Sequence, residues 1–447
     1  MTETSSEAAG AHPGAGGLAY RLLRRVMEVR PEEVSALAWS WLYIFSVLSS
    51  YYIMRPIRDQ MGVAGGVGNL QWLFLGTLAG MLILNVPFAY LVKTLARTRF
   101  IPITYRFFAA NILLFALVLH SADPEQTIWV GRAFFIWISV FNLFVVSVFW
   151  ALIVDIFGSE QGKRLFGFIA AGATIGAIFG SGVTASLARY VPTPFLLIGS
   201  VALLEAAVFS VRRLSRLAPA LHAEKASATD RPIGGNIFAG ITHPFKSAYL
   251  ANFSLFMLLF TITSTFLYFQ QAGIVSQSFL DRGAQTAFFA TVDLLVNGLT
   301  LVVQLFLTGR ILRFLGVGLT LALLPALCVL GFGALALAPT VAAIVAFQVL
   351  RRSSDYAIAR PTREVLYTVV PREDRYKAKN FIDTVVYRAG DQVGAWSYAL
   401  LSVLGLGTAG IAIVAIPLSA AWLINGLWLG RRQEFLAAKT ARKTQAV

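Results

Sequence analysis

The sequence predicts an all-α, polytopic membrane protein of about twelve transmembrane helices in two six-helix bundles, and three observations carry that prediction. Hydrophobic residues make up 57% of the chain and charged residues only 13%, where a soluble domain carries roughly 25%. Apolar stretches long enough to cross a bilayer recur from end to end. Basic residues gather in alternate connections between those stretches.

The composition comes first. With a mean hydropathy of +0.70, the chain has too few charges to wet the surface of a soluble fold of 447 residues. A lipid-facing surface has no such need. The net charge of +15 fits basic loops better than nucleic-acid binding, so no nucleic-acid partner is expected. Cys328 stands in an apolar run, where it reads as a small buried hydrophobe. His12, His120, His222 and His243 are scattered, and no metal site or cofactor is expected. No Gly-x-x-x-x-Gly-Lys phosphate loop occurs, which argues against ATP hydrolysis as an energy source, and no catalytic constellation points to an enzyme.

The predicted spans are 34–62, 69–92, 100–120, 127–157, 165–189, 192–211, 247–271, 284–309, 316–337, 340–369, 376–404 and 408–430. The start of the chain is polar and lacks a cleavable signal pattern, so the first span is expected to serve as the insertion signal. Arg21, Arg24, Arg25 and Arg30, then Lys93, Arg97 and Arg99, then Lys163 and Arg164, lie on one side. Arg212, Arg213, Arg216, Arg310, Arg313, Arg372, Arg375, Arg431 and Arg432 continue that series, while the opposite loops hold little beyond Arg189 and Arg282. This asymmetry places both termini in the cytoplasm of a bacterial inner membrane.

Residues 212–246 are polar and rich in turn formers, and they divide six spans from six. The expected organisation is a tail over 1–33, a first bundle over 34–211, a linker over 212–246, a second bundle over 247–430 and a basic tail over 431–447. Glu160-Gln161-Gly162-Lys163-Arg164 occupies the same place in its half as Glu373-Asp374-Arg375-Tyr376-Lys377. Parallel repeats of this kind are the design of the major facilitator fold, with substrate held between the halves. Gly309 to Gly316 resembles the Gly/Arg loop of that superfamily.

Charged residues inside spans cost at least ~2.5–3.5 kcal/mol each, so they mark cavities or ion pairs. Arg55, Arg58 and Asp59 form one group late in the first helix. Arg132, Asp155 and Glu160 belong to the fourth helix and the loop after it. The richest group is Arg351, Arg352, Asp355, Arg360, Arg363 and Glu364 in the tenth helix, with Asp383, Arg388 and Asp391 in the eleventh. The i, i+4 spacings pair Arg351 with Asp355 and Arg360 with Glu364, and Arg388 with Asp391 lies at i, i+3. Arginines still exceed acids, which calls for a polyanion, and a planar guanidinium binds phosphate oxygens two at a time. Pro361 is expected to kink the tenth helix. Tyr52, Trp150 and Tyr387 are candidates to stack on a base. Gly172, Gly176 and Gly180 form a face for close helix packing, and a surface that could rock during transport.

Three stretches resemble the nucleotide transporter (ATP/ADP translocase) family. One runs from Arg351 to Asp391 through Ser353-Ser354-Asp355-Tyr356, Pro361-Thr362-Arg363-Glu364, Ile382-Asp383-Thr384-Val385 and Arg388-Ala389-Gly390. Another is Ser147-Val148-Phe149-Trp150, followed by Glu160, Lys163-Arg164 and Phe166-Gly167. The third is Arg55-x-x-Arg58-Asp59. The resemblance implies the major facilitator architecture and exchange of nucleotides or other phosphorylated anions, with Arg58, Glu160 and Glu364 at functionally important positions. The chain departs from the family at Arg58 and Arg363, where lysine is usual, and at Asp391, where a basic residue is usual.

The expected substrate-binding set is therefore Arg55, Arg58, Asp59, Arg132, Glu160, Arg351, Arg352, Arg363, Glu364, Asp383, Arg388 and Asp391. The protein is expected to act as a monomer in the bilayer on a small anionic substrate. The rival expectation is a proton-coupled exporter of a non-nucleotide metabolite or drug, with Asp155, Glu205 or Asp293 carrying protons.

Overall fold

A computed structural model describes residues 29–95, 97–157, 159–222, 247–371 and 378–445. Within them twelve segments cross back and forth. They are α1 (Glu33–Ala64), α2 (Leu70–Thr94), α3 (Arg97–Ser121), α4 (Pro124–Ile156), α5 (Ser159–Leu187) and α6 (Thr193–His222), then α7 (Ala248–Ser278), α8 (Arg282–Phe306) and α9 (Thr308–Leu337). Segment α10 is two α-helical pieces, Val341–Ser354 and Arg360–Leu366, joined by a π turn at Asp355–Ala359; α11 opens with a π turn at Phe381–Val386 and continues as Tyr387–Val403; α12 is Thr408–Gln445.

Ten of these helices are long and apolar enough to cross a membrane. The two that fall short are α10, with four arginines, and α11, with Asp383, Arg388 and Asp391, and both are interrupted by π turns. The all-α, two-bundle prediction and its spans correspond to this architecture. Turns at the end away from the termini are short, and those before α4, α8 and α10 carry side-chain caps. The Asp123 side chain accepts from the Gln126 amide at 2.8 Å with Pro124 beginning the helix, and Asp281 accepts from the Ala284 amide at 2.6 Å. At the opposite end, α6 runs past the expected membrane boundary to His222, because nothing between Val211 and Ala220 but Pro219 opposes helix. Residues 1–28 of the expected tail over 1–33, and residues 223–246 of the expected linker over 212–246, lie outside the described residues. The Gly309–Gly316 stretch is helical where a loop was expected, and Gly316, at φ +69°, breaks it from the rest of α9.

The halves repeat the same packing device. Helix α5 lies against α1 so closely that a Cβ at Gly176 would sit 2.5 Å from the Phe45 carbonyl oxygen, and Ser49 Oγ donates to the Gly176 carbonyl at 3.1 Å. In the second half α11 lies against α7, and a Cβ at Gly394 would sit 3.1 Å from Ile262 Cα. The glycine face of α5 is thus an internal seam of the first half. The idea that it forms the rocking surface is corrected on that ground. Gly176→Leu should destabilise the fold by at least ~1–3 kcal/mol, since backbone must move to admit it. Thermal unfolding in detergent should show a lowered midpoint for this variant and an unchanged one for Gly333→Ala, whose Cβ meets open space.

Two hydrophobic cores result, one for each set of six helices, and the second also takes in Val63, Leu70, Leu73 and Phe135 of the first. These four lie toward the end away from the termini. There Trp72 of α2 meets Trp396 of α11 with ring centroids 4.8 Å apart, and Phe74 meets Phe269 at 5.3 Å. The halves are sealed at that end by aromatic side chains.

Candidate functional site

Midway through the bundle, α1, α2, α4, α7, α8, α10 and α11 surround two adjoining cavities. The α10 wall of the smaller one is shaped by Pro361. A proline has no amide hydrogen for the carbonyl four residues before it, which strands Ala357. The Thr308 hydroxyl donates to the Ala357 carbonyl at 2.8 Å, and the Gln304 amide donates to that of Tyr356 at 3.3 Å. The π turn at Asp355–Ala359 ends two positions before the proline and absorbs the kink.

That turn also resets the side-chain register. Asp355 does not pair with Arg351, as α-helical spacing suggests. It pairs with Arg360 at 3.2 Å and Arg363 at 3.1 Å, five and eight positions on. Arg351 points to α7 instead, donating to Ser264 Oγ at 3.1 Å and to the Phe260 carbonyl at 3.2 Å. Glu364 pairs not with Arg360 but with Lys379, at 2.5 Å. The Arg388–Asp391 pair forms as its spacing predicts, at 3.2 Å.

Two carboxylates tie the halves together. Asp293 of α8 holds Arg55 of α1 at 3.3 Å and Arg352 of α10 at 2.7 Å, both through Oδ1. Asp59 of α1 accepts from Arg58 Nε at 2.9 Å and from the Tyr268 hydroxyl of α7, also at 2.9 Å. Arg58 in addition lies over the Phe135 ring, 5.0 Å from its centre.

The larger cavity holds about 250 Å³ and the smaller about 170 Å³, and Arg55, Ser264, Tyr268 and Tyr387 border both. Together they are lined by Arg55, Arg58, Arg351, Arg352, Arg360 and Arg388 against Asp59, Asp293, Asp355 and Asp391. Arg55 Nε, Arg351 Nε, Arg352 Nη2 and Asp293 Oδ2 are buried without a hydrogen-bond partner. A buried polar atom left so costs about 1–3 kcal/mol, more when charged. A cationic excess with unfilled donors is chemically a receptor for a polyanion.

Of the expected residues, Arg55, Arg58, Asp59, Arg351, Arg352, Arg388 and Asp391 come together on the cavities. The others do not. Arg363 stands behind Arg351, over the same Phe260 ring at 4.9 Å, and steadies Asp355. Arg132 donates to the Gly65 carbonyl at 3.1 Å and covers Trp129, so it caps the far end of α1. Glu364 and Asp383 are exposed, farther toward the terminus-side end. Glu160 opens α5, and its side chain lies outside the described residues. Tyr387 borders both cavities, whereas Trp150 packs against Phe149 and Phe166. Tyr52 lies beneath Arg55.

The binding set lacked Asp293, Arg360 and Tyr268. A lone aspartate in the apolar run of α8 was the available signal for Asp293. Nothing in the sequence marked Tyr268, which depends on α7 facing α1. Among the other carboxylates weighed as proton carriers, Glu205 faces outward and pairs with Arg106, and Asp155 is exposed near the end of α4.

No protein-family model matches the chain. Over 489 aligned residues it is 22% identical to ADP,ATP carrier protein 1 of Chlamydia muridarum (strain MoPn / Nigg), covering 91% of this chain and 92% of the relative. A bacterial homologue of the iron transporter ferroportin, solved in an inward-facing state, superposes with a TM-score of 0.60 at 12% identity, over 90% of this chain and 98% of that one. The nucleoside transporter NupG superposes with a TM-score of 0.57 at 15% identity, over 89% and 98%. The structural likenesses establish a major facilitator-type fold, and the sequence match bears out the resemblance to the ATP/ADP carriers.

Proposed function

We propose that this secondary transporter, a distant relative of the ADP,ATP carriers, exchanges ATP/ADP-like nucleotides or a closely similar phosphorylated anion. The observation that carries the reading is the pair of cavities with six arginines, four carboxylates and unfilled guanidinium donors. The phosphate chain enters the smaller cavity and takes the places of Asp293 on Arg55 and Arg352, with Arg351 and Arg360 beside it. The rest of the molecule occupies the larger cavity, where Tyr51, Phe74 and Tyr387 offer ring faces. Arg58 and Arg388 stand at its walls, each held by its own aspartate.

Transport follows by alternating access, residues 34–211 rocking against 247–430 around this site. The aromatic seal at Trp72 and Trp396 opens as the terminus-side end closes. In a bacterial inner membrane with both termini cytoplasmic, the orientation that the basic loops favour, the seal faces the periplasm. Substrate then displaces the inter-half bridges at Asp293 and Asp59 before the halves can separate there. No catalytic step is assigned.

The test is labelled-ATP uptake into liposomes carrying the purified protein, with and without ADP inside. Uptake that requires internal ADP is the expected result. Folded protein that moves no nucleotide in either condition overturns the proposal. Uptake driven by a proton gradient and indifferent to internal nucleotide overturns exchange.

A further inference from the structure

An ion pair stands on the outer surface of the first half, away from every cavity. Arg106 of α3 reaches Glu205 of α6 through two N–H groups, Nε to Oε1 at 3.4 Å and Nη2 to Oε2 at 3.3 Å. The two side chains are 50% and 46% exposed. Both lie at the same depth. Arg106 is seven residues along α3 from Arg99, and Glu205 is seven residues along α6 from Arg212. At 1.5 Å per residue, each is about 10 Å inside the basic boundary of the membrane.

Half-exposed at that depth means exposed to lipid. Hydrocarbon offers no hydrogen bonds, and the fork of Arg106 has five N–H groups of which the pair uses two. The arginine is not reaching for headgroups, since its two bonds hold it on the neighbouring helix. Toward the termini the pair is flanked by Ile103 and Phe209, large and exposed, and on the other side the flanking residues are small. One turn further from the termini, Ala110 on α3 and Ala202 on α6 are exposed, Gly199 follows, and a Cβ at Gly199 would meet open space. Small residues on lipid-facing helices allow another helix to approach closely.

We infer that this α3/α6 face is an interface between two copies of the chain in the membrane, closed by exchange of the Arg106–Glu205 pair. A twofold axis through the face sets each copy's arginine opposite the other's glutamate. Four charges of alternating sign then meet over the seam of Ala110, Gly199 and Ala202, and the free N–H groups find acceptors. One surface carries both signs, so an identical copy is complementary to it without any other partner. It departs from the monomer expected from sequence, and the copy count below decides between them.

The test counts copies. Full-length protein with one fluorophore on a C-terminal tag is reconstituted in liposomes at high lipid excess, and photobleaching steps are scored. Wild type should bleach mainly in two steps, and the apolar double variant Arg106→Leu/Glu205→Leu in one, with its thermal midpoint retained. Arg106→Glu and Glu205→Arg each place like charges on the face and should be single alone. Reconstituted together in two colours, they should co-localise well above chance. Single-step wild type overturns the inference, as does a double variant that still bleaches in two steps. Reversed copies that fold but never co-localise overturn the charge exchange. If a reversed copy fails to fold alone, the apolar variant still decides.

Discussion

Replacing Arg352 with alanine should lower exchange about thirtyfold or more. Its guanidinium lies 2.7 Å from Asp293, and one of its nitrogens is buried with no partner. Truncating one member of a desolvated, hydrogen-bonded charge pair costs ~2–5 kcal/mol, and 1.36 kcal/mol is a factor of about ten. The loss has two sources. A phosphate group loses a bidentate donor, and Asp293 keeps only Arg55, at 3.3 Å. The variant thus presents a carboxylate less well neutralised to an incoming polyanion. Initial rates of nucleotide exchange in liposomes measure the effect. Arg132→Ala is the control, because that arginine caps the end of α1 and lines neither cavity. It should stay within about twofold of wild type. If Arg132→Ala and Arg352→Ala fall together, the central site is misassigned.

Asp293→Asn should separate binding from movement. The carboxylate is 2% exposed and neutralises two arginines from opposite halves. Removing the charged member of a buried pair costs ~3–5 kcal/mol, because the remaining charges stay buried without compensation. The empty variant should therefore unfold at a lower temperature than wild type. A bound nucleotide supplies the missing negative charge, so its phosphates no longer compete with a carboxylate. ATP should then raise the unfolding midpoint of the variant by more than it raises that of wild type, since a ligand stabilises the state it binds more tightly. Exchange should fall even so, because tighter binding in one state slows release. A variant that is less stable and gains no more than wild type from ATP would show Asp293 to be structural alone.

Much of this protein is legible in its sequence. Ten of the twelve helices follow from apolar length, the division into halves from the polar stretch after α6, and the character of the site from arginines where lipid forbids charge. The Arg388–Asp391 pair follows from helix spacing, because α11 is regular α-helix there. The pairs in α10 do not. Spacing arguments assume 3.6 residues per turn, and the π turn ahead of Pro361 breaks that assumption, sending Asp355 to Arg360 and Arg363. Two further facts belong to tertiary structure. Asp293, Arg55 and Arg352 are distant in sequence and meet only because α8, α1 and α10 converge. Arg132 and Glu205 have the same intramembrane signature as the cavity arginines, yet one caps a helix end and the other faces outward. Residue type and depth are written locally along a chain, whereas the direction a side chain faces depends on which helices stand beside it.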